Sequence, residues 1–273
     1  TTGHKSELSK VLAHVQDPKI LQLKDDFFAQ KQNTVPKNEF INTAKEWFLS
    51  TKINQLNVPN TFKDLDIIIG CTQYIETICL KNSWNIQVLP NEYAYYTVWG
   101  KQATLPGELK EGVPLIISLP NWRFGPYPDW DKILKECEQK NIEIHIDCAW
   151  LVCAKDITIA FDHPNIKSFA MSLSKYIGSW NRIGLRWSKQ RSMDTITMFN
   201  LQGKWNDALT AVGHYYMQNI DRDYGWKKYH LQYNHLLQKY DLRGGNFYYV
   251  AHDKETDDVY GLGKQLLEFD LDL

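Results

Sequence analysis

The sequence predicts an α/β protein built on a mostly parallel sheet flanked by helices. Short, continuous apolar runs recur between Asp64 and Trp187, the mark of strands covered on both faces. Segments with helical spacing of apolar residues separate several of these runs, which is the alternation that parallel sheets require. Several runs end in Gly, Asp, Pro-Asn or Ser-x-Ser-Lys, so polar residues fall at strand ends, where such sheets bind ligands. At 273 residues and 43% hydrophobic, the chain can bury a sizeable core.

Residues 1–35 are expected to hold one or two short helices. Leu8, Val11, Leu12 and Val15 recur at helical spacing, and Pro18 interrupts them. Pro36 to Ser50 forms a further helix, opened by Pro36 and striped with Phe40, Ile41, Ala44, Trp47 and Phe48. Ile67-Ile68-Ile69 is the first strand. Gly70-Cys71-Thr72-Gln73 leads from it into a helix through Tyr74, Ile75, Ile78 and Cys79. Strands follow at Ile86–Leu89, ended by Pro90, and at Pro114–Ser118, broken at Pro120. A helix from Asp129 to Lys140 carries Trp130, Ile133, Leu134 and Cys137. Ile142–Ile146 ends at Asp147, and Ile157–Ala160, Ile166–Met171 and Ile183–Trp187 complete the series. Beyond residue 190 helices are expected at Trp205–Ile220 and Gly225–Tyr240, a strand at Phe247–Val250 and a last helix at Gly261–Phe269. The expected division is a large domain over 1–200 and a helical linker with a reduced small domain over 201–273.

Lys and Arg number 31 against 32 Asp and Glu, so charge gives no case for nucleic acid or an anionic membrane. No apolar run approaches the roughly 20 residues that span a bilayer. The polar start Thr1-Thr2-Gly3-His4-Lys5 lacks a signal-peptide core. Five cysteines, an odd number without metal-site spacing, suggest reduced thiols and a cytoplasmic protein. No glycine-rich nucleotide motif occurs.

Five points fall where strands end. Gly70-Cys71-Thr72 opens a helix, and helix N-terminal amides with a Thr hydroxyl make an anion site; an ordinary capped turn has the same residues. Asp147 ends a strand, where it either caps a loop or meets a cation such as a protonated pyridine nitrogen. Asn121 follows Pro120, as a turn former or as an amide donor to a ring oxygen. Lys175 follows the interior run Ile166–Met171, with Ser172 three residues before it and Arg182 seven after. A desolvated lysine is a nucleophile that forms a Schiff base, and Ser and Arg are natural phosphate partners. A surface lysine and a surface ion pair are the plainer readings. Tyr93, near Tyr95 and Tyr96, either packs in the core or stacks on a flat ligand.

In order and spacing these points, from Asp64 to Trp187, resemble the pyridoxal-phosphate enzymes of fold type I, in particular the class I/II aminotransferases. The resemblance implies a seven-stranded-type sheet and a pyridoxal 5′-phosphate cofactor. It implies that Gly70, Cys71, Thr72 and Ser172 hold the phosphate with Arg182, that Asp147 pairs with the ring nitrogen, and that Asn121 touches the ring oxygen. Lys175 becomes the Schiff-base residue and Tyr93 the stacking ring. Trp150 stands where the family usually has Tyr, and Arg182 lies one residue nearer the lysine than usual. No Arg follows Arg243, so the resemblance does not carry over the family's substrate-carboxylate arginine; Arg123, Arg186 and Arg243 are candidates by chemistry only. The implied activity is transamination between an amino acid and a keto acid in a homodimer. A lyase or decarboxylase of the same fold, or a non-catalytic cofactor-binding homologue, is the alternative.

Overall fold

The computed structural model describes residues 4–30, 34–97, 103–178, 181–256 and 258–268. Helix α1 (Pro18–Ala29) begins at the proline expected to interrupt a helix. Asp17 caps it by accepting from the Ile20 N–H, and a proline in the first turn lacks only an N–H that has no intrahelical partner there. The segment before it is an irregular strap rather than a helix. Its helical spacing did not mark a buried stripe, because Val11 is 71% exposed while Leu8 and Val15 are buried. Helix α2 (Lys37–Leu49) buries Phe40, Ala44, Trp47 and Phe48 as expected.

Strand β1 (Gln55–Asn57) is followed by β2 (Asp64–Ile68), α3 (Gly70–Lys81), β3 (Gln87–Val88), β4 (Leu115–Ser118), α4 (Trp130–Gln139), β5 (Ile144–Asp147), β6 (Thr158–Ala160), β7 (Ile166–Ser172) and β8 (Gly184–Ser188). The main sheet has the order β2-β8-β7-β5-β4-β3. Only β8 runs against its neighbours. Six strands form it among the described residues, against an expected seven. The Thr104 N–H donates to Val88 O at 2.8 Å along the outer edge of β3, where a seventh strand would lie. Strand β6 is not in this sheet; it pairs in parallel with β1 alone. Of its three residues only Ile159 is buried, too little apolar surface for a strand covered on both faces.

Helices α5 (Thr195–Leu201), α6 (Asp207–Asn219) and α7 (Tyr224–Lys239) follow, then β9 (Leu242–Gly244), β10 (Val250–Asp253), β11 (Val259–Gly261) and α8 (Gly263–Glu268). Sequence spacing missed α5, whose seven residues span too few turns to show a period. The strand expected at 247–250 begins only at Val250, and it pairs antiparallel with β9 and β11.

The two faces of the main sheet differ. Toward α2, Phe169 stacks on Trp187 at 4.8 Å and on Phe161 at 4.0 Å, and Phe48 lies 5.1 Å from Trp187. Toward α3, cross-strand neighbours form a polar row of Ser118, Asp147, Ala170, Arg186 and Asp66. Arg186 is 2% exposed, and its guanidinium donates to Asp66 and Asp194 at 2.6 Å each and to Thr197 Oγ1 at 2.8 Å. Asp194 also caps α5 through the Thr197 N–H, so one arginine ties β8 to β2 and α5. Burial alone would raise the Asp194 carboxyl, but the Arg186 guanidinium outweighs it and holds the group below its usual range.

Replacing Arg186 by Met leaves buried Asp194 without its cation and Asp66 with only Lys37 at 4.0 Å, an expected loss of about 3–5 kcal/mol in urea unfolding at neutral pH. Because the Asp194 carboxyl is depressed in the folded state, its contribution is present above the unfolded carboxylate range and lost as pH falls through the folded value. The gap between wild type and variant therefore narrows in the same assay repeated well below pH ~4.

Candidate active site

A cavity of about 320 Å³ opens at the carboxyl ends of the parallel strands. Its wall combines Ser118 from β4, Asp147 from β5, Cys71 and Thr72 from the start of α3, and Ser174, Lys175, Tyr93, Trp150 and Arg182 from loops.

The turn from β2 into α3 is made by Gly70 at φ +72°, which a residue with a side chain adopts only under strain. This turn brings Cys71 and Thr72, at the start of α3, to the cavity wall. Beside them Arg182 Nη2 donates to Thr72 Oγ1 at 2.6 Å. Thr72, Arg182 and the helix start thus form one donor-rich corner.

Strand β7 ends in a short 3₁₀ turn, Leu173–Lys175, that Ser172 caps by accepting from the Ser174 N–H at 3.3 Å. Leu173 is buried beneath the turn, and Lys175, half-buried, is carried to the cavity. Its Nζ stands 4.5 Å over the Trp150 ring. That ring is backed by Phe247 and Tyr249 at 5.1 and 5.9 Å.

Asp147 is buried, with Oδ2 accepting from the Tyr96 hydroxyl at 2.7 Å and Oδ1 from the Ala149 N–H at 2.8 Å. Burial raises its carboxyl above the ordinary value, against the Tyr96, Ala149 and Cys71 donors and the Lys175 charge. The Cys71 thiol is pushed well up, by burial first and then by Asp147, so it is no nucleophile.

Three expected residues do not line the cavity: Gly70, which makes the turn, Ser172 and Asn121. Ser172 is fully buried behind the wall, with its Oγ 2.8 Å from Ser174 Oγ, and Ser174 is the serine that faces the cavity. Asn121 is also fully buried and does not line the cavity. Its amide donates to Asn91 O and Tyr127 OH at 3.2 Å and accepts from the Arg123 N–H at 2.9 Å. It stabilises the loop closed by the paired backbones of Asn121 and Gly125, the turn role that Asn often takes. Arg186, a carboxylate-arginine candidate, is committed to its buried ion pairs.

The sequence reading missed Tyr96, Ser118, Glu92 and the strap. Leu12, Ala13 and His14 line the cavity from the strap, which lies close against two glycines. A Cβ on Gly261 would stand 2.5 Å from Val11 O, and one on Gly263 2.9 Å from Ala13 O. Burial, then the charge of Lys175, holds the His14 imidazole below its ordinary value. Only the glycines hinted at this approach. Glu92 lies behind Ser118, accepting from its N–H at 2.8 Å and from Tyr127 OH at 2.5 Å. Burial pushes Glu92 up to about 7.

No protein-family model matches the chain, and no curated protein sequence does. Solved structures do. The aspartate aminotransferase from Thermus thermophilus is 11% identical, with a TM-score of 0.63 over 89% of this chain and 75% of that one. The alanine aminotransferase from Pyrococcus furiosus is 10% identical, with a TM-score of 0.62 over 91% and 74%. The PLP-bound C-S lyase from Staphylococcus hominis is 12% identical, with a TM-score of 0.59 over 91% and 77%. The fold is therefore that of the fold-type-I pyridoxal-phosphate enzymes, aminotransferase-like, as the strand-end residues implied. At such identity the likeness is one of fold.

A carboxyl raised by folding penalises the fold wherever it ionises. Stability is expected to be full below the unfolded value near 4.5 and to fall by about 3 kcal/mol as pH rises through about 7. Chemical unfolding of wild type and Glu92→Gln across this window checks it, the variant losing most of the slope.

Proposed function

We propose that the cavity binds pyridoxal 5′-phosphate and that the chain is an aminotransferase acting on an amino acid/keto acid pair. The observation that carries this reading is the convergence of Lys175, Asp147 and the Thr72–Arg182 corner on one cavity at the strand ends. The residues fit the cofactor. The corner offers donors for a phosphate without a carboxylate among its hydrogen-bond partners. The partners of buried Asp147 are neutral, so a protonated ring nitrogen would supply the cation that a buried carboxylate lacks.

When bound, the cofactor contributes an aldehyde that forms a Schiff base with an amine and a ring that accepts electrons. Thr72, Arg182 and the α3 amides would hold its phosphate. Asp147, kept in place by Tyr96 and the Ala149 amide, would hold a proton at the ring nitrogen. Tyr93 offers an aromatic face at the cavity wall. Lys175 presents a nucleophilic amine and, once displaced, would move a proton to and from the substrate's α-carbon. Its short tether after β7 and the face of Trp150 limit where the amine can reach.

A second reading is lyase chemistry on the same residues, favoured by the C-S lyase among the similar structures. Elimination would release ammonia without a keto acid, whereas transamination depends on one. We further propose a homodimer, with 1–200 carrying the cofactor site and 201–273 a reduced small domain.

Absorbance spectra of wild type and Lys175→Ala with added pyridoxal phosphate check the assignment. Wild type is expected to show a lysine-dependent visible band that a donor amino acid bleaches and a keto acid restores, with turnover at least roughly 10²–10⁴-fold lower in the variant. Bleaching with ammonia release and no keto-acid requirement selects the lyase. A band that no amino acid perturbs means binding without catalysis, and absence of any lysine-dependent band sinks the cofactor assignment.

A further inference from the structure

A second cavity, of about 410 Å³, opens at the other end of the main sheet, on the same face as α3. It lies where β5 and β7 begin and antiparallel β8 ends. His145, Ser168 and Ser188 are cross-strand neighbours there, one row below Asp147, Ala170 and Arg186. None of these side chains serves the site at the carboxyl ends.

Two buried nitrogens on the cavity's lining residues have no hydrogen-bond partner, His145 Nε2 and Arg186 Nε. Their residues are only 3% and 2% exposed. Leaving such a group unsatisfied costs about 1–3 kcal/mol. The His145 ring is held from behind: its Nδ1 lies 2.8 Å from Ser168 Oγ, while Tyr74 OH donates to Ser168 O at 3.0 Å. The Ser168 hydroxyl also lies 2.8 Å from Tyr74 OH, so it links the imidazole to Tyr74.

Lys81, Lys167 and Lys189 also line this cavity. Lys167 and Lys189 are braced by carbonyls, Pro164 O at 3.1 Å and His163 O at 2.6 Å, and each ammonium keeps further donors. Burial and then the charge of Lys167 lower Lys189. Burial, followed by Lys81, Arg186 and Lys167, holds His145 down at about 3. Of the acids present, Asp194 is paired with Arg186, while Glu143 and Asp162 are exposed. Glu143 Oε2 is 3.9 Å from His145 Nε2, too far for a hydrogen bond.

We infer that this second cavity binds a phosphorylated small molecule, its phosphate met by Lys81, Lys167 and Lys189 beside the unpartnered His145 Nε2. Lysines serve as point charges for a phosphate. The cavity exceeds a phosphate in volume, so room remains for the group that carries it. The inference does not depend on the function proposed for the first cavity.

Isothermal titration calorimetry with inorganic pyrophosphate tests it on the full chain. Arg182→Ala, which removes a donor proposed for the first cavity, is expected to keep a binding site, and Arg182→Ala/Lys167→Ala/Lys189→Ala to bind at least tenfold more weakly than it does. Lys132→Ala/Lys135→Ala, exposed on α4, controls for net charge and is expected to bind like wild type. No binding to wild type overturns the inference. So does loss in Arg182→Ala with retention in Lys167→Ala/Lys189→Ala, which assigns the anion to the first cavity, and so does equal weakening in the α4 control.

Discussion

The pairing of β7 with antiparallel β8 is the constraint on which most of this structure depends. The two strands run so close that a Cβ at Gly184 would stand 2.0 Å from Met171 O. Because β8 returns beside β7, Arg182 comes back over the start of α3 and reaches Thr72. The same register sets Trp187 against Phe169 on one face, and on the other sends Arg186 to Asp66 and Asp194. The aromatic core, the buried ion pairs and the donor-rich corner of the first cavity are three results of one strand pairing.

The α3 face of the sheet carries titratable groups at both ends. On β5, His145 and Asp147 are two residues apart and point the same way. Burial drives both toward neutrality, lowering the imidazole and raising the carboxyl. Each is then held by neutral hydroxyls, Ser168 for one and Tyr96 for the other. The two groups lie in adjacent rows of one sheet face, each bordering its own cavity, with Tyr74 linked to Ser168.

The first and last segments of the described residues also meet. Ser9 pairs with Gly261, and Lys5 Nζ lies 2.8 Å from Asp253. Leu12, Ala13 and His14 of the strap thereby line the cavity. The strap's position rests on glycines that leave room for its carbonyls, since a side chain at either would displace it.

Much of the fold was legible in the sequence, because a strand buried on both faces must be apolar and a helix must repeat its buried face. Those rules located most elements, but they put β6 in the main sheet, read the strap as a helix, and missed β1, α5, β9 and β11, each too short to show a period. The strand-end rule likewise identified Thr72, Asp147, Lys175 and Arg182, all of which line the first cavity. The direction of individual side chains was decided only by tertiary structure. Ser172 and Ser174 are equivalent in sequence, yet capping turns one inward and leaves the other facing the cavity. Asn121 closes a loop, and Tyr96 alone of its tyrosine cluster reaches Asp147. Composition and periodicity report whether a residue is buried. Which partner satisfies a buried polar atom depends on strand register and on chain segments far apart in sequence, and these exist only once the sheet has formed.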